Sequence, residues 1–208
     1  MFVKKDSYGF EVGHEFFDGY REITNVAVGQ AADLLARVLN CFVRMPIPNV
    51  SMLEITEMEM AIKQAVNSDR MSAVCQGFIG GGISGEAMLL FSESNFQDIA
   101  EMMHYDGELD DAAEIELLMD LTNILIGACL KGIAEQFDIN LSLGHPVVIG
   151  HHAFGKQRFE LADHEWKQIL AIDMEISIEG RNVSANLMLL FTEDSVPRIN
   201  QLLNYVAA

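Results

Sequence analysis

Between Phe16 and Phe42 the apolar residues Ile23, Val26, Ala27, Leu34, Leu35, Val38 and Leu39 recur at intervals of three and four. That spacing predicts one long amphipathic helix, because a period of 3.6 gathers such positions into a stripe. A counterpart runs from about Glu114 to Phe137. Further along the period drops to two: Leu170, Ile172, Met174, Ile176 and Ile178 alternate with Ala171, Asp173, Glu175, Ser177 and Glu179. This predicts a half-buried strand with one apolar and one largely acidic face. Gly80-Gly81-Gly82 and Glu179-Gly180-Arg181-Asn182 each precede a second apolar strand, where a hairpin needs residues tolerant of positive φ.

The pattern occurs twice. Residues Ser84 to Glu93 (SGEAMLLFSE) reappear from Ser184 to Glu193 (SANLMLLFTE), an offset of 100. Earlier features match at an offset of 98: Asn25 and Gly29 with Asn123 and Gly127, and Pro48 with Pro146. The order of features is the same in both halves, which predicts an internal duplication. The expected architecture is a single α/β domain of the α+β type over residues 1–208, with repeats at about 16–105 and 110–208. Two long helices and shorter helices pack on a mainly antiparallel sheet with pseudo-two-fold symmetry. Asp106 to Asp111 (DGELDD) reads as the joint between the halves, and its Asp110 and Asp111 are also suited to cap the second long helix.

Composition narrows the partners. The 208 residues, half of them hydrophobic, are long enough to bury a core without disulfides or metals. Acidic residues outnumber basic ones 31 to 13, a formal charge of −18. Such a surface repels phosphate backbones and anionic headgroups, which argues against nucleic acid and membrane as partners. The charged start of the chain does not read as a secretory signal, and no uninterrupted apolar run approaches the roughly 20 residues of a membrane span. Cys41, Cys75 and Cys129 are odd in number and set among apolar neighbours, as reduced cytoplasmic thiols would be.

The polar residues of the long helices are ordered. At about 100° per residue, Asp18, Glu22 and Asn25 lie near 0°, 40° and −20°, one narrow stripe continued by Gly29, Ala32 and Ala36. The second helix repeats it as Glu116, Asp120 and Asn123, followed by Gly127, Leu130 and Ala134. A solvated face accounts for polar residues, and glycine can serve helix packing. A recognition or catalytic face accounts for a carboxylate and a carboxamide above a lane of small residues that lets another backbone approach. Asn and Gly are both poor helix-interior residues, Gly by about 1 kcal/mol relative to Ala, yet both recur in place.

Other constellations point to less. GFIGGGISG is a turn rather than a phosphate loop, since no Lys lies between Lys63 and Lys131. His145, His151 and His152, with Asp163, His164 and Glu165 further on, offer metal-ligand chemistry, but adjacent strand histidines point to opposite faces. They read as surface or hydrogen-bonded histidines. The methionines, Met58, Met60, Met102 and Met103 among the twelve, suit core filling, with a Met-rich partner groove as the alternative.

Asp18-x3-Glu22-x2-Asn25, followed by 22 residues and Pro48, resembles the signature of the CheC and CheX phosphatases of the chemotaxis receiver CheY, shared by the FliY proteins of the flagellar switch. Glu116-x3-Asp120-x2-Asn123, 22 residues and Pro146 repeats the spacing, with Glu116 for the usual Asp or Ser and Asp120 for the usual Glu. Gly82-Ile83-Ser84-Gly85 also looks like CheC. The resemblance implies hydrolysis of a receiver's aspartyl phosphate. Asn25 and Asn123 would hold the attacking water, and Glu22 and Asp120 would pair with the receiver's lysine. Asp18, Gly29, Glu116 and Gly127 would serve docking. It implies no cofactor in this chain, since the Mg²⁺ belongs to the receiver. Asp120 is one methylene shorter than Glu, which sets its carboxylate back by roughly 1.5 Å, and a misplacement near 1 Å can cost about a hundredfold. A non-catalytic adaptor for a receiver or a CheD-like protein, or a structural flagellar-switch role, is the alternative. Oligomeric state is open.

Overall fold

The computed structural model describes residues 14–54, 57, 58, 60, 70–92, 96–154, 167–181 and 183–206. In chain order these form α1 (His14–Leu39), β1 (Val43–Arg44), β2 (Asn49–Glu54), β3 (Arg70–Gly80), β4 (Ile83–Ser92), α2 (Phe96–Met102), α3 (Asp111–Gln136), β5 (Ser142–Leu143), β6 (Val147–Phe154), β7 (Gln168–Ile178), β8 (Ser184–Thr192) and α4 (Ser195–Val206). The fold is α+β. One eight-stranded sheet runs β1-β7-β8-β4-β3-β5, with β2 also on β7 and β6 also on β3. Every pairing between these strands is antiparallel.

Symmetry is visible in the register. The middle of the sheet is the β4–β8 pair, and there Met88 faces Met188, residues 100 apart in sequence. The edges are exchanged: β1 and β2 pair with β7, whereas β5 and β6 pair with β3. Val50 faces Ile172 and Val148 faces Val74, which matches β3 to β7 at an offset of 98. The change to 100 occurs in the hairpins. Gly80 pairs with Ile83 across two residues, whereas the Ile178 N–H reaches the Val183 carbonyl across four, residues 179–182. The short turn needs positive φ at both central positions, and Gly81 (60°) and Gly82 (82°) supply it. The glycine run is therefore a hairpin turn, as its lack of a nearby lysine suggested.

The two long helices end alike. Asn40 and Asp138, 98 apart, take positive φ (49° and 51°), and the next N–H of each, from Cys41 and Ile139, returns to Ala36 and Ala134. That left-handed residue with a return bond satisfies carbonyls that a helix end leaves open. At the start of α3, the Asp110 carboxylate accepts from the Ala113 N–H at 2.9 Å, so Asp110 is the cap and Asp111 the first helical residue.

Apolar faces of α1 (Ala27, Ala31, Leu35) and α3 (Leu121, Leu125, Cys129, Ile133) meet one face of the sheet in the main core. The helices approach closely because Gly132 has no side chain: a Cβ there would stand 2.8 Å from the Ala27 Cα. By length and composition α3 would suffice to cross a membrane, but it is packed as a core helix, 61% of its apolar window being buried. The opposite face of the sheet carries a smaller core of Met58, Met71, Met88, Met188, Leu90, Ile169 and Leu190. Core filling is thus what most of these methionines do, although Met60 is exposed.

This second core corrects the expectation of an acidic face along β7. Leu170 to Ile178 are buried in alternation as expected, but Ala171 is buried too, and Asp173 is half-buried with its carboxyl pushed up by burial. Only Glu175 and Glu179 of that phase are exposed. All three cysteines are free thiols; burial pushes Cys75 and Cys129 up to about 12, so both stay protonated and unreactive.

Candidate functional site

Alpha-helical periodicity turns the first stripe away from the core. Tyr20, Ile23, Thr24 and Ala27 are buried, while Glu22, Asn25 and Gly29 are exposed. The inner face is anchored: the Tyr20 hydroxyl donates to Asn200 Oδ1 of α4 at 2.6 Å, Thr24 Oγ1 bonds the Tyr20 carbonyl, and Leu203 packs 3.3 Å from where a Gly19 Cβ would be. Residues on either side of Glu22 and Asn25 are thereby fixed, which holds the pair one turn apart on a rigid support. The side chain of Asp18 lies outside the described residues, though its backbone is in α1. The Asn25 side chain has no hydrogen-bond partner among the described residues.

Gly29 bears on how this face is read. Among the described residues, a Cβ at Gly29 would meet nothing within 4 Å. Helix packing therefore does not explain it, in contrast to Gly132. A glycine that costs about 1 kcal/mol in a helix and touches nothing leaves an open lane beside Glu22 and Asn25. Ala32 and Ala36 continue it, half-buried, and the exposed Asp33–Arg37 pair (2.7 Å) borders it.

On α3 the upper stripe is the same and the lower part is not. Glu116, Asp120 and Asn123 are exposed. Gly127, however, has Leu143 of β5 at 3.9 Å, and Leu130 and Ala134 are buried. Between them and Ile139, Leu141 and Leu143 lies a groove of about 250 Å³. The expected second lane is thus partly closed, because the chain after α3 folds back over it.

Asn123 also differs from Asn25 in having a partner. Gln76 of β3 donates from Nε2 to Asn123 Oδ1 at 3.2 Å and to the Gly144 carbonyl at 2.9 Å. Gln76 is buried, and its Oε1 has no hydrogen-bond partner among the described residues. Sequence reasoning missed this residue. The signal was available: Gln76 falls between Val74 and Phe78 on the apolar phase of a strand, where a polar side chain needs a reason.

Pro48 and Pro146 immediately precede β2 and β6, as turns from helix to strand should. Ser84 of the GISG segment is held to α4, its N–H donating to Ser195 Oγ at 2.8 Å and Ser195 Oγ donating to its carbonyl. Most of the histidine set drawn from the sequence lies outside the described residues. His145 is exposed; the side chain of His152, and Asp163, His164 and Glu165, lie outside the described residues. His151 instead meets Ser72 Oγ (3.3 Å) and Glu114 (3.4 Å), and its nitrogen, Glu114 and Asp111 offer ligand atoms within 4.8 Å of one another. By helical periodicity that cluster lies on the flank of α3 away from Glu116 and Asn123.

No family model matches the chain, and no curated protein matches it in sequence. Solved structures do. The FliY structure from Thermotoga maritima superposes with a TM-score of 0.72 at 18% identity, covering 95% of this chain and 100% of that one. The FliM middle domain of H. pylori gives 0.59 at 14% identity over 92% and 99%. A chemotaxis protein CheX from Desulfovibrio desulfuricans gives 0.56 at 14% over 82% and 99%. The chain therefore has the CheC-like fold, shared with these FliY, FliM middle-domain and CheX structures.

Proposed function

We propose that this protein is a phosphatase for the aspartyl phosphate of a CheY-like receiver in the cytoplasm, working in chemotaxis or a related two-component signal. The observation that carries the reading is the α1 face: an exposed carboxylate, an exposed unbonded carboxamide one turn on, and a glycine beneath them that packs against nothing. The receiver brings the acyl phosphate, the Mg²⁺ and a lysine, so most charge stabilisation is already present. This chain contributes position. Glu22 pairs with the lysine and seats the helix, while Asn25 accepts a hydrogen bond from the attacking water through Oδ1 and donates one from Nδ2 to a phosphoryl oxygen. Water attacks phosphorus in line, the aspartyl carboxylate departs, and inorganic phosphate forms. A carboxamide does this without changing protonation, so no tuned pKa is called for.

The net charge of −18 is compatible with this substrate, because the phosphate arrives neutralised by the receiver's own cations. Likeness to the FliM middle domain favours a second reading, a binding component or adaptor for a receiver or a CheD-like partner. Decay of a phosphorylated CheY-type receiver with Mg²⁺ present separates the two. Native protein should accelerate decay and the Asn25→Ala/Asn123→Ala double variant should not; binding without any acceleration by native protein would make the protein an adaptor.

A further inference from the structure

The two carboxamides occupy matched places but have different freedom, and the difference comes from one residue of the other half. We propose that Gln76 is a positioning residue that turns Asn123 out of its water-orienting pose, so that the second site holds a phosphorylated receiver without hydrolysing it. This rests on the phosphatase reading above and assigns a distinct role to the second face.

The geometry supports it in three ways. First, Gln76 Nε2 takes Asn123 Oδ1 at 3.2 Å, and both nitrogen protons are engaged because Gly144 accepts the other at 2.9 Å. Oxygen and nitrogen of a carboxamide diverge from one carbon, so drawing Oδ1 toward the sheet leaves Nδ2 facing outward. A donor facing the partner grips a phosphoryl oxygen, but the acceptor that would aim the water is withdrawn. Secondly, the donor is itself immobilised. Gly144 is bonded twice to β3, through Gln76 and through its own N–H to the Gly77 carbonyl at 2.8 Å. Thirdly, the first site has no such tether. The offset of 98 that matches β3 to β7 places Met174 where β3 has Gln76, and Pro46 where the other half has Gly144. A thioether has no N–H to give, and neither has proline.

The test silences the first site with Asn25→Ala and follows receiver dephosphorylation with Mg²⁺ while Gln76 is replaced by Met, its counterpart, or by Leu. Asn25→Ala alone should leave decay near the receiver's own rate. Adding Gln76→Met or Gln76→Leu should raise it roughly fivefold, the factor corresponding to release of one neutral hydrogen bond. Adding Asn123→Ala should remove that gain. An unchanged or slower rate with both Gln76 variants would overturn the proposal. A second readout is independent of activity: the side-chain amide of Asn123 should be more ordered by ¹⁵N relaxation than that of Asn25, and should lose that order in Gln76→Met. If native protein fails to speed receiver decay, the phosphatase reading falls. The tether then still stands or falls on the amide data, equal mobility of the two asparagines counting against it.

Discussion

The α1 and α3 faces descend from one pattern, and their differences teach more than their likeness. Both present carboxylate, carboxylate and carboxamide at one spacing, above a glycine. On α1 the glycine is open and the carboxamide unbonded. On α3 the glycine has Leu143 beside it, the positions below are buried, the carboxamide is bonded to Gln76, and the second carboxylate is the shorter Asp120. On the proposed reading, each of these four changes reduces what the second face does for a bound phosphate. Three come from residues outside the helix motif, and Gln76 reaches it because the sheet exchanges its edges, with β5 and β6 of one half lying on β3 of the other. A motif carried through a duplication is therefore edited by its new neighbours.

The contrast between glycines has the largest measurable consequence. Gly132→Val places a branched side chain 2.8 Å from the Ala27 Cα and should cost about 3 kcal/mol, lowering the melting temperature by roughly 6–12 °C. Gly29→Ala should do the opposite, raising stability by about 1 kcal/mol and the melting temperature by roughly 2–4 °C, while weakening receiver binding. A loss of stability at Gly29 would mean that the lane is a packing surface. Asp120→Glu restores the reach of the carboxylate and should tighten receiver binding at the second face by about twofold, the scale of an exposed ion pair, measured by titration in the Glu22→Ala variant, where docking at the first face is weakened. No tightening would show that carboxylate length is not what separates the faces.

The smallest effect concerns the strand positions beside these residues, where Cys75 of β3 matches Asp173 of β7. Burial raises the Asp173 carboxyl above its unfolded value, and the Asn186 amide at 3.4 Å offsets this only in part. A raised acid binds its proton more tightly when folded, so stability falls as pH rises from the unfolded value through the folded one. Asp173→Asn should therefore raise the melting temperature slightly at pH 7, with the gain fading as pH falls toward 4. A gain that grew on acidification would contradict this sign.

Much of this was legible in the residues. The offsets of 98 and 100 located the matched helices and the matched strands that follow them. Period-two alternation gave β7 its inward residues, and the acidic pair Asp110-Asp111 marked the start of the second long helix, where Asp110 is the cap. What stayed hidden depended on distant pairing. Ala171 and Asp173 lose their expected exposure because Met58, Met71, Met88 and Met188 build a second core across the sheet. Gln76 and Asn123 are 47 positions apart, on elements whose adjacency follows from the exchanged edges. Leu143 closes the lane at Gly127 only after the chain turns at Asp138, a turn that α1 also makes at Asn40 without the same result.

The two faces are weighed against each other by receiver dephosphorylation with the single variants Asn25→Ala and Asn123→Ala, measured side by side at saturating receiver. Loss of most of the acceleration in Asn25→Ala, with Asn123→Ala close to native, is the expected result. Equal losses, or a larger loss in Asn123→Ala, would contradict the assignment of hydrolysis to α1 and of holding to α3.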